Sequence, residues 1–198
     1  CWLFTQDNDV QFLRSAEPYL TALYQYFLRY ETSEGLLEGV TEKWNLVDWP
    51  ENLRDGYDFP LESVMPKDSP PHNVLNAFWC GFLQATDEIC RILGIEETGK
   101  TERAIDSFIK CFYSEESGLF CDSVEHTHSA VHSNILPLLF GIGSRECHAR
   151  IVELIEEKRL CSMGVYMAYF ALASLKVRGE YELAKRLICD PACWLNML

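Results

Sequence analysis

The strongest constraint on the fold is an alternation between two kinds of helical segment. In both kinds, apolar residues recur every three or four positions, which is the period of an α-helix. Residues 72–93, 132–141 and 165–177 are apolar on more than one face, whereas residues 101–113, 146–159 and 181–189 are amphipathic. A helix that is apolar all round needs cover on every side, and an amphipathic helix keeps one face in water. The alternation therefore predicts an all-α fold of helical hairpins, each with an inner and an outer helix.

Repeated connectors indicate that the hairpins are copies of one unit. A further helix is expected over residues 9–30, with Asp9 as its N-cap and Gly35 as its C-cap. The segment that follows, YETSEGLLEGV at 30–40, resembles YSEESGLFCDSV at 113–124. Within them, LLEGV and LFCDSV are the candidate strands. Self-similarity of this kind is typical of a repeated supersecondary unit. We therefore expect residues 1–198 to form a single domain, a ring or solenoid of hairpins, with a plain helical bundle as the alternative.

The net charge and the cysteine content restrict the binding partners and the cellular compartment that we expect for this chain. The 198 residues contain 17 basic and 30 acidic side chains, a net charge of −13, which argues against nucleic acid and anionic membranes as partners. The longest apolar run is also too short to span a bilayer. The nine cysteines lack CxxC spacing and most lie in apolar helical patterns. This usage is typical of buried thiols in a reducing compartment and favours the cytoplasm, with disulfides as the less favoured alternative.

The segment WNLVDWPENLRDGYDF at 44–59 combines aromatic and acidic residues in a turn-rich loop. Aromatic rings stack on the CH groups of a sugar, and carboxylates accept hydrogen bonds from its hydroxyls. We expect Trp44, Trp49 and Tyr57 to serve as stacking platforms. The acceptors would be Asp48, Glu51, Asp55 and Asp58. In the alternative interpretation, Trp49 and Phe59 plug the loop onto the helix ends and the acids are solvated.

A second polar cluster, CDSVEHTHSAVHSN, occupies residues 121–134. His128 and His132 are four residues apart and share a face if the helix begins by Thr127. The stretch lacks the glutamate of an HExxH zinc motif, so we predict neither a metal nor a cofactor, and expect His132 to donate a hydrogen bond into a cleft.

A further candidate set of zinc ligands contains two cysteines and a histidine. Cys80 together with Cys147 and His148 resembles the ligands of lanthionine-cyclase-type toroids. The glycine expected after the histidine is replaced by Ala149. Two core cysteines and a surface His148 are the favoured interpretation.

Two of these segments resemble motifs of the α-L-rhamnosidase family. WNLVDWP at 44–50 is similar to the family's tryptophan and DW segment, and HSAVHSNILPLLFGI at 128–142 is similar to its HxxxHxNxxxLxFGL helix. The stretches at 1–30, 73–94 and 169–188 resemble further helices of the family, although Gln6 stands where glycine is common. The resemblance covers nearly the whole chain.

This resemblance implies an incomplete six-hairpin α/α toroid, and inverting hydrolysis of terminal α-L-rhamnosides by a full-length parent protein. The motif residues that it maps are Trp44, Asp48, Trp49, His128, His132 and Asn134. Together with the loop, it gives an expected sugar-binding set of Trp44, Asp48, Trp49, Tyr57, His128 and His132.

The family's catalytic loops have no counterpart in this sequence. Its general acid is expected upstream of Cys1, and its general base in a Thr-Thr-x-x-Glu loop after Leu198. We therefore predict no catalytic residue here and no activity for the chain alone, with Asp48 and either Asp122 or Glu125 as an alternative carboxylate pair. The expected partners are a rhamnose-containing carbohydrate, the missing parts of the parent chain and a second copy of this chain. The alternative function is a non-catalytic carbohydrate-binding or helical-repeat interaction module.

Overall fold

Seven helices dominate the part of the chain that the computed structural model describes, which comprises residues 9–40, 42, 45–49, 51–57, 70–124 and 127–193. They are α1 (Val10–Leu28), α2 (Asn73–Leu93), α3 (Thr101–Phe112), α4 (His132–Phe140), α5 (Arg145–Lys158), α6 (Val165–Arg178) and α7 (Tyr181–Ile188). Two short antiparallel strands, β1 (Tyr113–Ser114) and β2 (Leu119–Phe120), pair between α3 and α4. Among the described residues, no helix is both long enough and apolar enough to cross a membrane. The all-α prediction is confirmed.

The helices form two layers, as the alternation in the sequence predicts. The inner helix α4 packs between α2 and α6, and the outer helices α3, α5 and α7 each pack on the inner helix that precedes them. Helix α1 packs on α2. The architecture is an incomplete toroid of helical hairpins. Inner helix α6 has one neighbouring inner helix among the described residues and exposes an apolar face with Val165, Tyr169 and Val177.

The ends of the helices follow local rules. Asp9 caps α1 by accepting the N–H of Phe12 at 3.0 Å, which confirms its predicted role. Each inner helix ends at a glycine in the left-handed conformation, a backbone geometry that disfavours residues with a Cβ. These glycines are Gly94, Gly141 and Gly179. The prediction for Gly35 is wrong, because α1 already ends at Leu28 and Gly35 lies in the following turn with φ +88°.

An asparagine in the first turns of an inner helix clamps each repeated connector. Asn76 accepts the N–H of Leu37 at 2.7 Å and donates to the carbonyl of Leu37 at 3.1 Å. Asn134 makes the same pair of contacts with Phe120, at 2.9 and 3.2 Å. Leu37 and Phe120 occupy corresponding positions in the two similar connectors. The internal repeat is therefore structural, since one amide side chain closes both connectors in the same way.

The cysteines depart in one respect from the prediction of free thiols. Cys161 and Cys193 form a disulfide, with Cα atoms 4.9 Å apart. The two lie outside the α-helices, in separate segments that the sequence pattern does not connect. Cysteines within the α-helices remain free, and three of them are buried, namely Cys80, Cys90 and Cys147. The expectation of buried helical thiols is confirmed for these three, and the expectation against disulfides is corrected.

Candidate functional site

Residues 45–49 and 51–57, named here the aromatic loop, reach the N-terminal ends of all three inner helices. Tyr57 accepts the N–H of Val74 in the first turn of α2, at 3.2 Å. Asp55 accepts the N–H of Val131, just before α4, at 2.9 Å. Asp48 accepts the N–H of Gly164, just before α6, at 2.7 Å. The first N–H groups of a helix have no partner within the helix, so side chains of the loop satisfy donors that helix formation leaves open.

The two predicted motifs meet at a buried contact between Asp48 and His132. Oδ2 of Asp48 lies 3.1 Å from Nε2 of His132, and both side chains are almost completely buried. Oδ1 of the same carboxylate accepts the N–H of Trp49 at 2.8 Å. Nδ1 of His132 has no hydrogen-bond partner among the described residues. These contacts assign the ring proton to Nε2, where it is donated to the carboxylate.

Gly164 provides the room for this contact. A Cβ at this position would come closer to Oδ1 of Asp48 than two non-bonded atoms can lie, and would be 2.7 Å from the carbonyl oxygen of Trp49. Its φ of −73° is available to any residue, so the requirement for glycine comes from the close approach of the aromatic loop. Gly164 is a functional residue that the sequence pattern does not reveal, because its only signal there is a glycine just before an apolar helix.

The middle of the aromatic loop is held by charge and by backbone pairing. Oδ1 of Asp55 receives a hydrogen bond from Nζ of Lys158 at 2.8 Å. Arg54 pairs with Met163 in an isolated antiparallel bridge. Asp55, predicted as a sugar acceptor, therefore uses both of its carboxylate oxygens within the protein, one for Lys158 and one for the N–H of Val131.

Tyr57, predicted as a stacking platform, lies in the core with only 6% of its surface exposed. Its hydroxyl lies 3.1 Å from Nδ1 of His72 and 3.1 Å from the carbonyl of Asp122. Burial raises the pKa of Tyr57 well above its ordinary value and lowers that of His72 to about 3. In this arrangement the ring anchors the end of the aromatic loop and presents no open face to a ligand.

His128 is oriented by a buried carboxylate. Its Nδ1 lies 2.6 Å from Oδ2 of Asp122, and 46% of the His128 side chain remains exposed. Oδ1 of Asp122 accepts the N–H of Ala130 at 2.8 Å and the hydroxyl of Ser133. The imidazole packs beside Gly56 of the aromatic loop. This arrangement leaves Nε2 of His128 on a fixed, partly exposed ring beside the loop.

Trp49 is the exposed aromatic side chain of the described loop, with 69% of its surface open to solvent. Trp44, Asp58, Phe59 and Glu125 lie outside the described residues, as does the side chain of Glu51, so their predicted roles stay predictions. Tyr166 in the first turn of α6 is partly exposed, and its pKa is raised by burial and by the charge of Asp48.

An apolar groove of about 320 Å³ runs beside Tyr166. Its other walls come from α1, α2 and the start of the aromatic loop, and include Phe27, Asn45, Leu75 and Phe78. The groove and the N-terminal ends of α2 and α6 therefore lie at the same end of the hairpins.

Two of the three carboxylates in the alternative catalytic pairs, Asp48 and Asp122, are buried, and the third, Glu125, lies outside the described residues. Asp48 and Asp122 are 2% and 0% exposed, and every carboxylate oxygen accepts at least one hydrogen bond. A general acid or base must reach the substrate directly or through one water molecule. Their burial therefore favours positioning roles for both residues.

The residues considered as zinc ligands have other surroundings. Nε2 of His148 lies 2.9 Å from the carbonyl of Ile142, and both Cys80 and Cys147 are buried among apolar residues. Within the described ranges, no three His, Cys, Asp or Glu side chains lie close enough together to hold a metal ion.

The fold is that of helical-hairpin rhamnosidases. The sequence itself matches no protein-family model and no curated protein. Three solved structures share the fold over about nine tenths of this chain, at identities of 20% or below. The resemblance recognised in the sequence is therefore confirmed at the level of the fold.

These structures are rhamnosidases of much greater length. The Streptomyces avermitilis α-L-rhamnosidase complexed with L-rhamnose matches with a TM-score of 0.63 at 20% identity, over 92% of this chain and 16% of its own. The Klebsiella oxytoca rhamnosidase with rhamnose bound gives 0.62 at 12% identity, over 90% and 32%. The GH78 family rhamnosidase of Bacillus sp. GL1 gives 0.69 at 19% identity, over 91% and 19%. The chain thus spans at most a third of the length of these three proteins.

Proposed function

We propose that this chain forms one wall of the sugar-binding pocket of a glycoside hydrolase that acts on terminal α-L-rhamnosides. The observation that carries the proposal is the contact between Asp48 and His132. It joins the two rhamnosidase-like motifs at the N-terminal ends of the inner helices, beside an exposed Trp49. The rhamnose bound in two of the matched structures supports the choice of sugar.

The residues divide into two roles within this proposal. Trp49 stacks on the sugar and His128 exchanges a hydrogen bond with a hydroxyl, because both side chains are accessible. The loop itself is held in place by three buried side chains, those of Asp48, His132 and Tyr57. Trp44 would add a second platform.

Hydrolysis is assigned to the longer parent protein. Inversion requires two carboxyl groups on opposite sides of the sugar, about 6.5–9.5 Å apart, so that a water molecule fits between them. The candidate carboxylates Asp48 and Asp122 are engaged within the fold. We therefore expect the chain alone to bind the sugar without cleaving it.

The binding role is tested by titrating the 198-residue chain with L-rhamnose and, separately, with its enantiomer D-rhamnose, followed by NMR. We expect shifts with L-rhamnose alone, and about tenfold weaker binding for Trp49→Ala, which corresponds to about 1.4 kcal/mol. Tyr19→Ala is the matched control, because Tyr19 is an exposed aromatic residue on α1. Equal shifts with both enantiomers, or equal losses in both variants, would refute the proposal.

The catalytic role is tested with an aryl α-L-rhamnoside. We expect turnover with inversion by the parent polypeptide and none by the 198-residue chain. Stereospecific binding without any turnover by the parent would instead identify a carbohydrate-binding module.

A further inference from the structure

We propose that the disulfide between Cys161 and Cys193 is a redox-responsive tether that fixes the position of the aromatic loop. The disulfide joins the turn between α5 and α6 to the segment that follows α7. Residues 160–164 of that turn, named here the loop seat, contact the aromatic loop. Reduction of the disulfide would release the seat and increase the mobility of the loop.

The loop seat contacts the aromatic loop through two consecutive residues. Met163 pairs with Arg54, and the N–H of Gly164 is donated to Asp48 at 2.7 Å. Cys161 lies in the short helical turn Leu160–Ser162, two residues before Met163. Because only one residue separates Cys161 from Met163, a displacement of Cys161 also moves Met163 and Gly164, which contact the aromatic loop.

Besides the disulfide, an ion pair joins the segment after α7 to the residue just before the loop seat. Arg159 lies 3.1 Å from Asp190, and the two side chains are 47% and 15% exposed. A partly exposed ion pair contributes little to stability, whereas a disulfide that closes a 32-residue interval strongly restricts the chain. The covalent bond is therefore the stronger of these two links.

The two sulfur atoms differ in solvent exposure, and this difference determines which of them a reductant attacks. Cys161 is exposed and Cys193 is buried. A thiolate of a dithiol reductant attacks Sγ of Cys161, and Cys193 leaves as a thiolate that takes up a proton. The second thiol of the reductant then displaces Cys161. Two electrons and two protons pass from the dithiol to the protein, which gives two cysteine thiols and the oxidised reductant.

In the reduced state, the buried thiol of Cys193 has a hydrogen-bond acceptor nearby. Sγ of Cys193 lies 3.5 Å from Oδ2 of Asp190, which can accept its S–H hydrogen bond. Reduction therefore does not leave Cys193 as an unpaired polar group.

The test compares amide hydrogen exchange at Gly164 before and after treatment with dithiothreitol, with peptide mapping to verify the state of the bond. We expect at least tenfold faster exchange at Gly164 after reduction, and the same result in Cys193→Ser without reductant. Cys189→Ser is the matched control, because Cys189 is a free, exposed cysteine in the same segment. Exchange at Leu37, whose N–H is held by Asn76, serves as the internal reference for global stability.

Three results would overturn the proposal. They are a peptide map without the Cys161–Cys193 pair, unchanged exchange at Gly164 after reduction, and equal acceleration at Gly164 and Leu37. None of these measurements uses a sugar. A chain that fails to bind L-rhamnose but shows selective exchange at Gly164 would refute the proposed function and leave the tether standing.

Discussion

Asp48 and His132 are 84 residues apart in the sequence and meet through a 3.1 Å contact between Oδ2 and Nε2. The contact lies in the core, where the carboxylate also receives the N–H groups of Trp49 and Gly164. A buried carboxylate is stable only when such donors compensate for its lost hydration. The carboxylate of Asp48 therefore joins the aromatic loop both to His132 of α4 and to the residue that precedes α6.

Replacing Asp48 by Ala should destabilise the protein by about 3–5 kcal/mol, because the change removes the acceptor of three donors, on His132, Trp49 and Gly164. Urea unfolding followed by circular dichroism measures the loss. Asp106→Ala, at an exposed position on α3, should stay within about 0.5 kcal/mol of the wild type. A loss below about 1 kcal/mol in Asp48→Ala would show that the contact does not hold the loop.

Gly164→Ala should displace the aromatic loop, because the added Cβ meets Asp48 and the carbonyl of Trp49. We expect a loss of about 2–3 kcal/mol and altered exposure of Trp49, measured by acrylamide quenching against Trp49→Phe as the blank. Gly179→Ala is the contrasting variant. Nothing lies within 4 Å of a Cβ there, so only its φ of +81° opposes the change, at about 1 kcal/mol. Similar quenching in the two variants would contradict the steric argument.

Asn76→Ala and Asn134→Ala should have matching effects, since each removes one amide clamp from a repeated connector. Each change leaves a buried N–H and a buried carbonyl unpaired, which costs about 2–4 kcal/mol. Thermal or urea unfolding gives the values. Asn52→Ala, at an exposed position in the aromatic loop, is the control and should be nearly neutral. If one clamp proves dispensable, the two connectors are not equivalent.

The stability of the protein should fall in mild acid because of His72. Burial lowers the pKa of His72 to about 3, while the unfolded chain keeps a value near 6.5. Between these values the unfolded state binds a proton that the folded state does not, so the free energy of unfolding decreases as the pH falls.

From pH 7 to pH 5 this single group should remove about 2 kcal/mol. His72→Asn keeps an acceptor for the hydroxyl of Tyr57 and cannot titrate. Its unfolding free energy should therefore lose about 2 kcal/mol less than that of the wild type over the same interval. Parallel pH profiles for the two proteins would show that His72 takes up its proton in the folded state as well.

The sequence by itself determined the helices and their layering. The all-apolar segments became the inner helices α2, α4 and α6, and the amphipathic segments became the outer ones, because helix period and facial polarity are properties of neighbouring residues. Asp9 was identifiable as a cap for the same reason. The similarity of the two connectors also predicted a repeat, which the clamps of Asn76 and Asn134 realise.

Only the tertiary structure decided which polar and aromatic residues of the loop face solvent. Composition placed Trp49, Tyr57 and Asp48 in one sugar-binding set, but folding exposed the first and buried the other two. Tyrosine and aspartate suit either environment, provided that a buried hydroxyl or carboxylate finds hydrogen-bond partners. Two of those partners, the carbonyl of Asp122 for Tyr57 and the N–H of Gly164 for Asp48, are 65 and 116 residues away in the sequence. The pairing of Cys161 with Cys193 depends in the same way on tertiary structure, because α7 must place the segment after it beside the turn that contains Cys161. No local sequence pattern encodes that placement.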